Sequence, residues 1–200
     1  MSISFNIGNT NDGPPTIAAD HANEGLAQLW QKGGVVQHSF VVEDINAALD
    51  WWTKDLRVGP FFLAPRYRGP GRSLYRGEHS DAEFALAAGF IGTLSIELLQ
   101  PLDDHPSVFR DTIERSGYGF HHVGVATQDV DASIREYEAK GYSLAYLADI
   151  PMGGYVAYME PPSKEFGFVE LSPASAGVFF DALWRQSLDW DGRQPVRAMG

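Results

Sequence analysis

The chain contains the same short pattern twice, and the two copies keep one spacing throughout. The first copy runs from Gly34 to Ala47 and the second from Gly119 to Ala132, so matched residues lie 85 positions apart. Each copy is an apolar, β-branched run followed by an Asp-x-x-Ala sequence. Self-similarity of this kind predicts a fold built from two related units.

Each repeat predicts a strand followed by a helix. Asp44 follows the first apolar run and is placed to cap a helix that begins with Ile45, and the second repeat predicts a helix over Asp131 to Lys140. Three further apolar segments follow in each half, so we expect an α+β fold of two tandem β-α-β-β-β modules. We divide the chain into an N-terminal arm and short helix (1–33), a first module (34–101), a linker helix (102–118), a second module (119–173) and a C-terminal helix and tail (174–200). Asp103 and Asp104 are expected to cap the linker helix.

Composition narrows the possible partners. The 200 residues carry a formal net charge of −11, which disfavours binding to nucleic acid or to anionic membranes. Cysteine is absent, so any metal must be bound by nitrogen and oxygen ligands. No basic N-terminal leader and no run of about 18 apolar residues occurs. We therefore expect a soluble cytoplasmic protein.

Polar residues at matched positions in the apolar strands are candidate metal ligands. Gln37 and His122 occupy the same position in the first strand of each module, and Glu97 and Glu170 lie at matched positions in the last. Because alternate residues of a strand face opposite sides of a sheet, one such residue per strand can point inwards while its neighbours pack outwards. An imidazole, two carboxylates and an amide oxygen suit one divalent ion, which would keep two coordination positions open.

The motifs of both halves resemble the vicinal oxygen chelate superfamily, and in particular its glyoxalase I and methylmalonyl-CoA epimerase branch. The resemblance covers about residues 34–173 and depends on three motifs: Gln37-x-x-Phe40-Val41-Val42-x-Asp44, Leu56-x-Val58-Gly59-Pro60-Phe61, and His122-Val123-Gly124-Val125-Ala126 with Asp129. It implies a curved, barrel-like mixed sheet around one divalent ion, which could be Zn, Ni, Co, Mn or Fe(II). The Gln/Glu/His/Glu set is the one that glyoxalase I uses.

Two neighbouring histidines compete with the proposed ligands. Aligning Asp44 with Asp129 places Gln37, not His38, opposite His122. If His38 were the ligand, the strand would slip by one residue and its apolar set would turn outwards. This reasoning favours Gln37, and predicts that His38 and His121 face outwards for packing or subunit contact.

An open metal site bordered by carboxylates favours removal of a proton next to a carbonyl group. We predict a metal-dependent isomerase or lyase of the glyoxalase or epimerase type, acting on a small carbonyl compound through a metal-stabilised enolate. By resemblance Glu170 is the first choice for the catalytic base, with Glu97 as the alternative. Two other functions stay open: an iron(II)-dependent ring-cleaving dioxygenase, and a non-catalytic binding protein of the drug-sequestering type.

Two further features suggest binding surfaces. Arg66, Arg68, Arg72 and Arg76 lie within eleven residues and could bind an anionic group of the substrate, or form surface ion pairs on a hairpin. The aromatic C-terminal segment, with Phe179, Phe180 and Trp184, offers an apolar surface for a homodimer. Several aromatic residues could line a pocket: Phe61, Phe62, Phe84, Phe90, Tyr155 and Tyr158.

Overall fold

The computed structural model describes residues 25–163 and 165–199, so most of the expected N-terminal arm lies outside the described residues. The helices within this part are α1 (Leu26–Lys32), α2 (Ile45–Asp50, extended by a wider turn over Trp51–Asp55), α3 (Val108–Ser116), α4 (Val130–Ala139) and α5 (Gly177–Arg185). The strands are β1 (Gly34–Val41), β2 (Phe61–Tyr67), β3 (Ser73–Tyr75), β4 (Glu78–His79), β5 (Phe84–Ile91), β6 (Leu94–Pro101), β7 (Gly119–Thr127), β8 (Ser143–Asp149), β9 (Tyr155–Glu160), β10 (Phe168–Pro173) and β11 (Val196–Ala198). None of the described helices is long and apolar enough to cross a membrane.

All the strands join one curved, unclosed sheet in the order β11-β2-β5-β6-β1-β7-β10-β9-β8-β3-β4. The two modules supply its halves and meet in the middle, where β1 and β7 pair antiparallel. The predicted α+β fold of two repeated modules is confirmed. Two elements were not predicted: β11 extends the edge at β2, and the β3–β4 hairpin of the first module pairs with β8 of the second.

The repeat sets the local structure at the same points in both modules. The Asp44 side chain accepts hydrogen bonds from the backbone N–H groups of Asn46 and Ala47, and Asp129 accepts one from Ala132. These caps satisfy amide groups that the first helical turn leaves unpaired. The linker helix differs from its prediction, because Ser107 caps it, whereas Asp103 binds the backbone of Glu83 and His105.

Alternation along the strands separates the two faces of the sheet. Ile96 and Leu98 of β6 pack against the helix α2 on the outer face, in one cluster with Ile45 and Leu49. Glu97 lies between them and therefore points to the other side, which we call the inner face. β10 follows the same rule, with Leu171 packed near Val130 of α4 and Glu170 turned inwards.

Helices outside the repeated part close the two ends of the inner face. At one end, Phe109 of α3 packs among Phe84, Leu99 and Tyr146. At the other, α1 and α5 pack together, and the Trp30 ring stacks on Phe180 with centroids 4.7 Å apart. The aromatic side of α5 is thus used within the chain rather than offered as a free dimer surface, and the homodimer stays a prediction.

Two β-bulges interrupt the central β1–β7 ladder at matched positions. Val36 is the extra residue on β1, between the pairs Val35–Val125 and Gln37–Gly124. His121 is the extra residue on β7, between the pairs Ser39–His122 and Phe40–Phe120. A bulge re-aims the neighbouring side chains, and both members of each doublet are buried: Val36 with Gln37, and His121 with His122.

Candidate metal centre

Three of the four proposed ligands converge on a nitrogen atom of the fourth, His122, at the middle of the inner face. Nε2 of His122 lies 3.1 Å from Oε1 of Gln37, 3.2 Å from Oε2 of Glu170 and 3.6 Å from Oε2 of Glu97. All four residues are buried, each less than a tenth exposed. Two come from each module, so the site lies at the junction of the two halves.

Hydrogen bonds behind His122 define its tautomer. Nε2 of His121 faces the carbonyl oxygen of Val108 at 3.3 Å, and because a carbonyl can only accept, that nitrogen carries the proton. Burial lowers the pKa of His121 well below its usual value, so the ring is neutral and its Nδ1 accepts. The partner of this Nδ1, at 2.7 Å, is Nδ1 of His122, which therefore donates. Nε2 of His122 therefore faces three oxygen acceptors: a proton on this nitrogen can bond to Glu170, and without that proton its lone pair can bind a cation.

The carboxylates are held by serines and differ in proton affinity. Ser39 donates to Glu97 over 2.9 Å, and Ser172 donates to Glu170 over 2.6 Å. Burial, reinforced by the charge of Glu170, raises the pKa of Glu97 to about 7. Burial also acts to raise the pKa of Glu170, but hydrogen bonds with His122, Ser172 and Tyr158 hold it below its usual value. In the metal-free protein Glu170 is therefore the ionised carboxylate of the pair.

This donor set fits a divalent cation. A lone pair facing three oxygens is unfavourable without a positive charge between them, and one proton on Nε2 can serve only one oxygen well. The ligand atoms of Glu97, His122 and Glu170 lie within 4.8 Å of one another. Ligands about 2.0–2.2 Å from a zinc ion would lie up to about 4.4 Å apart, so a small adjustment brings them into range. The hydrogen bond that Nδ1 of His122 donates to His121 also resembles the outer hydrogen bonds that orient metal-binding histidines.

The neighbouring histidines take different positions from the ligands. His38 lies on the outer face, half-buried, with its ring 6.3 Å from that of Phe120. His121 is fully buried beside Phe109 and Phe168 on the inner side, which corrects the expectation that it faces outwards. The prediction assumed uninterrupted alternation, and the bulge at His121 breaks it. The sequence signal that could have located this bulge was the His121-His122 pair, which aligns with Val36-Gln37 in the first repeat.

A glycine on β7 makes room for the amide ligand. A Cβ atom on Gly124 would lie 2.8 Å from Cβ of Gln37 and 3.0 Å from its Oε1. The first contact involves the root of the side chain, so Gln37 could not relieve it by rotating its amide group. Gly124 thus fixes the distance at which β1 presents its ligand to His122.

We expect the Gly124→Ala variant to bind metal more weakly by a factor of about 10–100, the range seen when residues that support ligands are changed. Isothermal titration with Zn²⁺ measures this. Thr93→Ala is the control, because Thr93 is exposed in the turn between β5 and β6, and it should leave the affinity unchanged. Equal affinities for both variants would contradict the role given to Gly124.

The structure does not bring the four arginines to the metal centre. Arg66 pairs with Glu83, and Arg68 pairs with Asp81. Arg72 pairs with Asp149 at 3.2 Å, while Arg76 binds both Asp111 and Glu160, at 2.7 and 2.9 Å. The contacts of Arg76 fix the β3–β4 hairpin to α3 and β9, so this arginine holds the two modules together.

A cavity of about 220 Å³ borders the metal centre. Three ligands line its floor, namely Gln37, Glu97 and Glu170. Of the aromatic residues expected to line a pocket, Phe84 and Tyr158 do so, whereas Phe61, Phe62 and Phe90 are buried in the core. Tyr155 instead donates a hydrogen bond to Asp131 near the surface. The sequence did not indicate Tyr67 or Tyr146, which also line the cavity.

Comparison with known protein families identifies the family of this chain. Residues 36–158 match the model of the glyoxalase/bleomycin resistance protein/dioxygenase superfamily. The chain belongs to this superfamily. The matched segment contains Gln37, Glu97 and His122 and ends before Glu170, and the resemblance inferred from the repeat is confirmed.

Solved structures share the fold of this superfamily member at low sequence identity. A hypothetical protein from Bacillus halodurans C-125 is 21% identical with a TM-score of 0.53, over 70% of this chain and 94% of its own. Methylmalonyl-CoA epimerase from Mycobacterium tuberculosis is 20% identical, with a TM-score of 0.51 over 70% and 87%. A mutant of 4-hydroxymandelate synthase from Streptomyces coelicolor is 16% identical, with a TM-score of 0.52 over 71% and 38%. No curated protein matches the chain significantly.

Proposed function

We propose that this protein is a metal-dependent isomerase or lyase that moves a proton next to the carbonyl group of a small molecule. The observation that supports this most strongly is the convergence of Gln37, Glu97 and Glu170 oxygens on Nε2 of His122. Members of the superfamily include epimerases and dioxygenases, and the donor set supports the first of these activities better than the second.

The residues have distinct roles in the proposed reaction. Gln37, Glu97, His122 and Glu170 would hold the metal, which when bound supplies a Lewis acid that stabilises negative charge on the substrate oxygen. Glu170 reaches the cavity from the second module and Glu97 from the first, so both carboxylates border the bound substrate. Glu170 would take the proton from the carbon next to the carbonyl group and return it to the same or the neighbouring carbon, which regenerates its carboxylate.

The cavity also protects such a reaction from solvent. Its walls are mostly apolar, and the metal centre lies at its buried floor. Exclusion of water strengthens electrostatic interactions at the site and limits competing protonation by solvent.

The ring-cleaving dioxygenase is less well supported than the isomerase or lyase. Its iron site needs two histidines and one carboxylate, whereas here a single imidazole faces an amide and two carboxylates. His38 lies on the outer face, and His121 binds the back of His122 rather than the centre. Oxygen uptake with a catechol and iron(II) would restore the dioxygenase hypothesis.

The test of the proposed function has two steps. Protein purified without chelators, and protein reloaded with Zn²⁺, Ni²⁺, Co²⁺, Mn²⁺ or Fe²⁺, should contain one divalent ion per chain by elemental analysis. A panel of carbonyl compounds is then followed by NMR in D₂O for exchange of the proton next to the carbonyl group. Metal-dependent exchange of at least one compound supports the proposal. Absence of a stoichiometric ion after every reloading would overturn it, and tight binding of hydrophobic compounds by metal-free protein would then favour a drug-sequestering role.

A further inference from the structure

The cavity above the metal centre is compact and mostly apolar. Its volume of about 220 Å³ is below the range of about 300–1,000 Å³ that is typical of pockets for drug-sized ligands. Strands and helices from both ends of the inner face supply the walls, which include Leu86, Leu99, Phe84, Phe109, Phe179 and Phe180. A ligand that fills this space therefore needs a small hydrophobic body.

No cationic side chain lines the cavity among the described residues. The charged groups at its surface, apart from the ligands themselves, are limited to Asp149, which Arg72 already neutralises. The other three arginines of the basic segment are bound to carboxylates as well. A carboxylate or phosphate placed in the cavity would lose its hydration without gaining a counter-charge from the walls, which is costly.

The polar groups of the walls are neutral phenols. Tyr67, Tyr146 and Tyr158 all line the cavity, and burial raises the pKa of Tyr67 and Tyr146 above the usual value. Tyr146 bonds to Ser73 over 2.8 Å, and Tyr158 bonds to Glu170. Neutral hydroxyls and aromatic rings suit a ligand with a ring and uncharged oxygens.

From these observations we infer that the substrate is a compact, uncharged ketone or aldehyde with an aromatic or alicyclic body, and not an anionic acid, phosphate or nucleotide thioester. This inference rests on the proposed function for the carbonyl group and on the cavity walls for the remainder. Arg197 of β11 has a buried Nε without a hydrogen-bond partner, but this residue does not line the cavity.

The test compares an uncharged ketone with the same ketone bearing a carboxylate, and 4-(hydroxyacetyl)benzamide, which is uncharged and of the same size as the benzoate, controls for the added bulk. 2-Hydroxyacetophenone is uncharged, and 4-(hydroxyacetyl)benzoate is the same ketone with a carboxylate on the ring. Isothermal titration of the Zn²⁺-loaded protein should show at least about tenfold tighter binding of the uncharged probe, equivalent to about 1.4 kcal/mol. Equal or tighter binding of the benzoate would overturn the inference, and so would failure of both probes to bind.

Charge added to the wall should reverse the preference. Met152 lines the cavity from the loop between β8 and β9 and is partly buried, so Met152→Arg should tighten benzoate binding and weaken binding of the uncharged probe. Ala64→Lys on β2 places a cation on another wall, in case the first variant is unstable. Phe166→Arg is the control, because Phe166 is 72% exposed and lies outside the cavity. If the control changes selectivity as much as the two wall variants, the cavity does not determine it.

A repeat with metal-free protein separates this inference from the proposed function. Retention of the charge preference without metal, together with no metal-dependent proton exchange, would contradict the proposed function and leave the ligand class standing. Metal-dependent exchange of the benzoate in preference to 2-hydroxyacetophenone would support the proposed function and contradict the inferred ligand class.

Discussion

The Glu170→Gln variant should lose metal-dependent proton exchange by a factor of about 10²–10⁴, the usual contribution of a positioned acid or base. Glutamine keeps the shape of the side chain but cannot take up the proton. Its amide oxygen can still accept from Ser172, while its NH₂ group can donate to Nε2 of His122, where the carboxylate now lies 3.2 Å away. The buried polar groups therefore stay satisfied in the metal-free state.

This variant has opposite effects on two other quantities. Metal affinity should fall, because an amide is a weaker ligand than a carboxylate, whereas the free energy of unfolding of the metal-free protein should be maintained or increased. Exchange by NMR, Zn²⁺ titration and urea denaturation measure the three quantities. Glu138→Gln makes the same change on the exposed side of α4 and should alter none of them. Exchange within a few-fold of the unmodified protein would exclude Glu170 as the base and leave Glu97 as the candidate.

The Trp30→Ala variant should lose about 3–5 kcal/mol of stability, the usual cost of truncating a buried large aromatic residue. Trp30 is 1% exposed and joins α1 to α5 through its stack on Phe180. The fit is close, since a Cβ on Gly177 would lie 2.5 Å from Cβ of Trp30. Because Phe179 and Phe180 of α5 also line the cavity, loosening α5 should weaken ligand binding as well.

Urea denaturation with tryptophan fluorescence measures the loss of stability. Trp30→Phe should be milder, because the indole Nε1 has no hydrogen-bond partner among the described residues and the ring stack can be kept. Trp51→Ala removes a ring that is 51% exposed and serves as the matched control, with a small effect. A loss below about 1 kcal/mol for Trp30→Ala, typical of surface changes, would show that α1 is not an essential part of the fold.

The repeat allowed much of this structure to be predicted. The two copies pair antiparallel across the central ladder, and the side chains of the matched residues Gln37 and His122, 85 positions apart, meet there in a hydrogen bond. Capping residues and apolar runs placed the helices and strands of both modules. These patterns predict each element locally, and the pairing of the two copies determines how the elements are arranged in the fold.

The unpredicted features depend on contacts that no local pattern encodes. The β3–β4 hairpin pairs with a strand of the other module, and Arg76 finds its partners on α3 and β9 only after that docking. His121 was misplaced because the prediction assumed regular alternation along a strand that a bulge interrupts. The walls of the cavity likewise combine residues from Ala64 to Met199, which the chain brings together only when it is folded.

The placement of α5 gives the molecule two parts that can change separately. The four proposed metal ligands lie on β1, β6, β7 and β10, inside the duplicated modules, where a shift of one residue would separate them. Phe179, Phe180 and Met199, which face the ligand, lie on a helix and a tail outside those modules. Substitutions in this C-terminal segment can therefore reshape what the cavity accepts while the reacting groups keep their positions, so the segment is the natural starting point for redesigning selectivity.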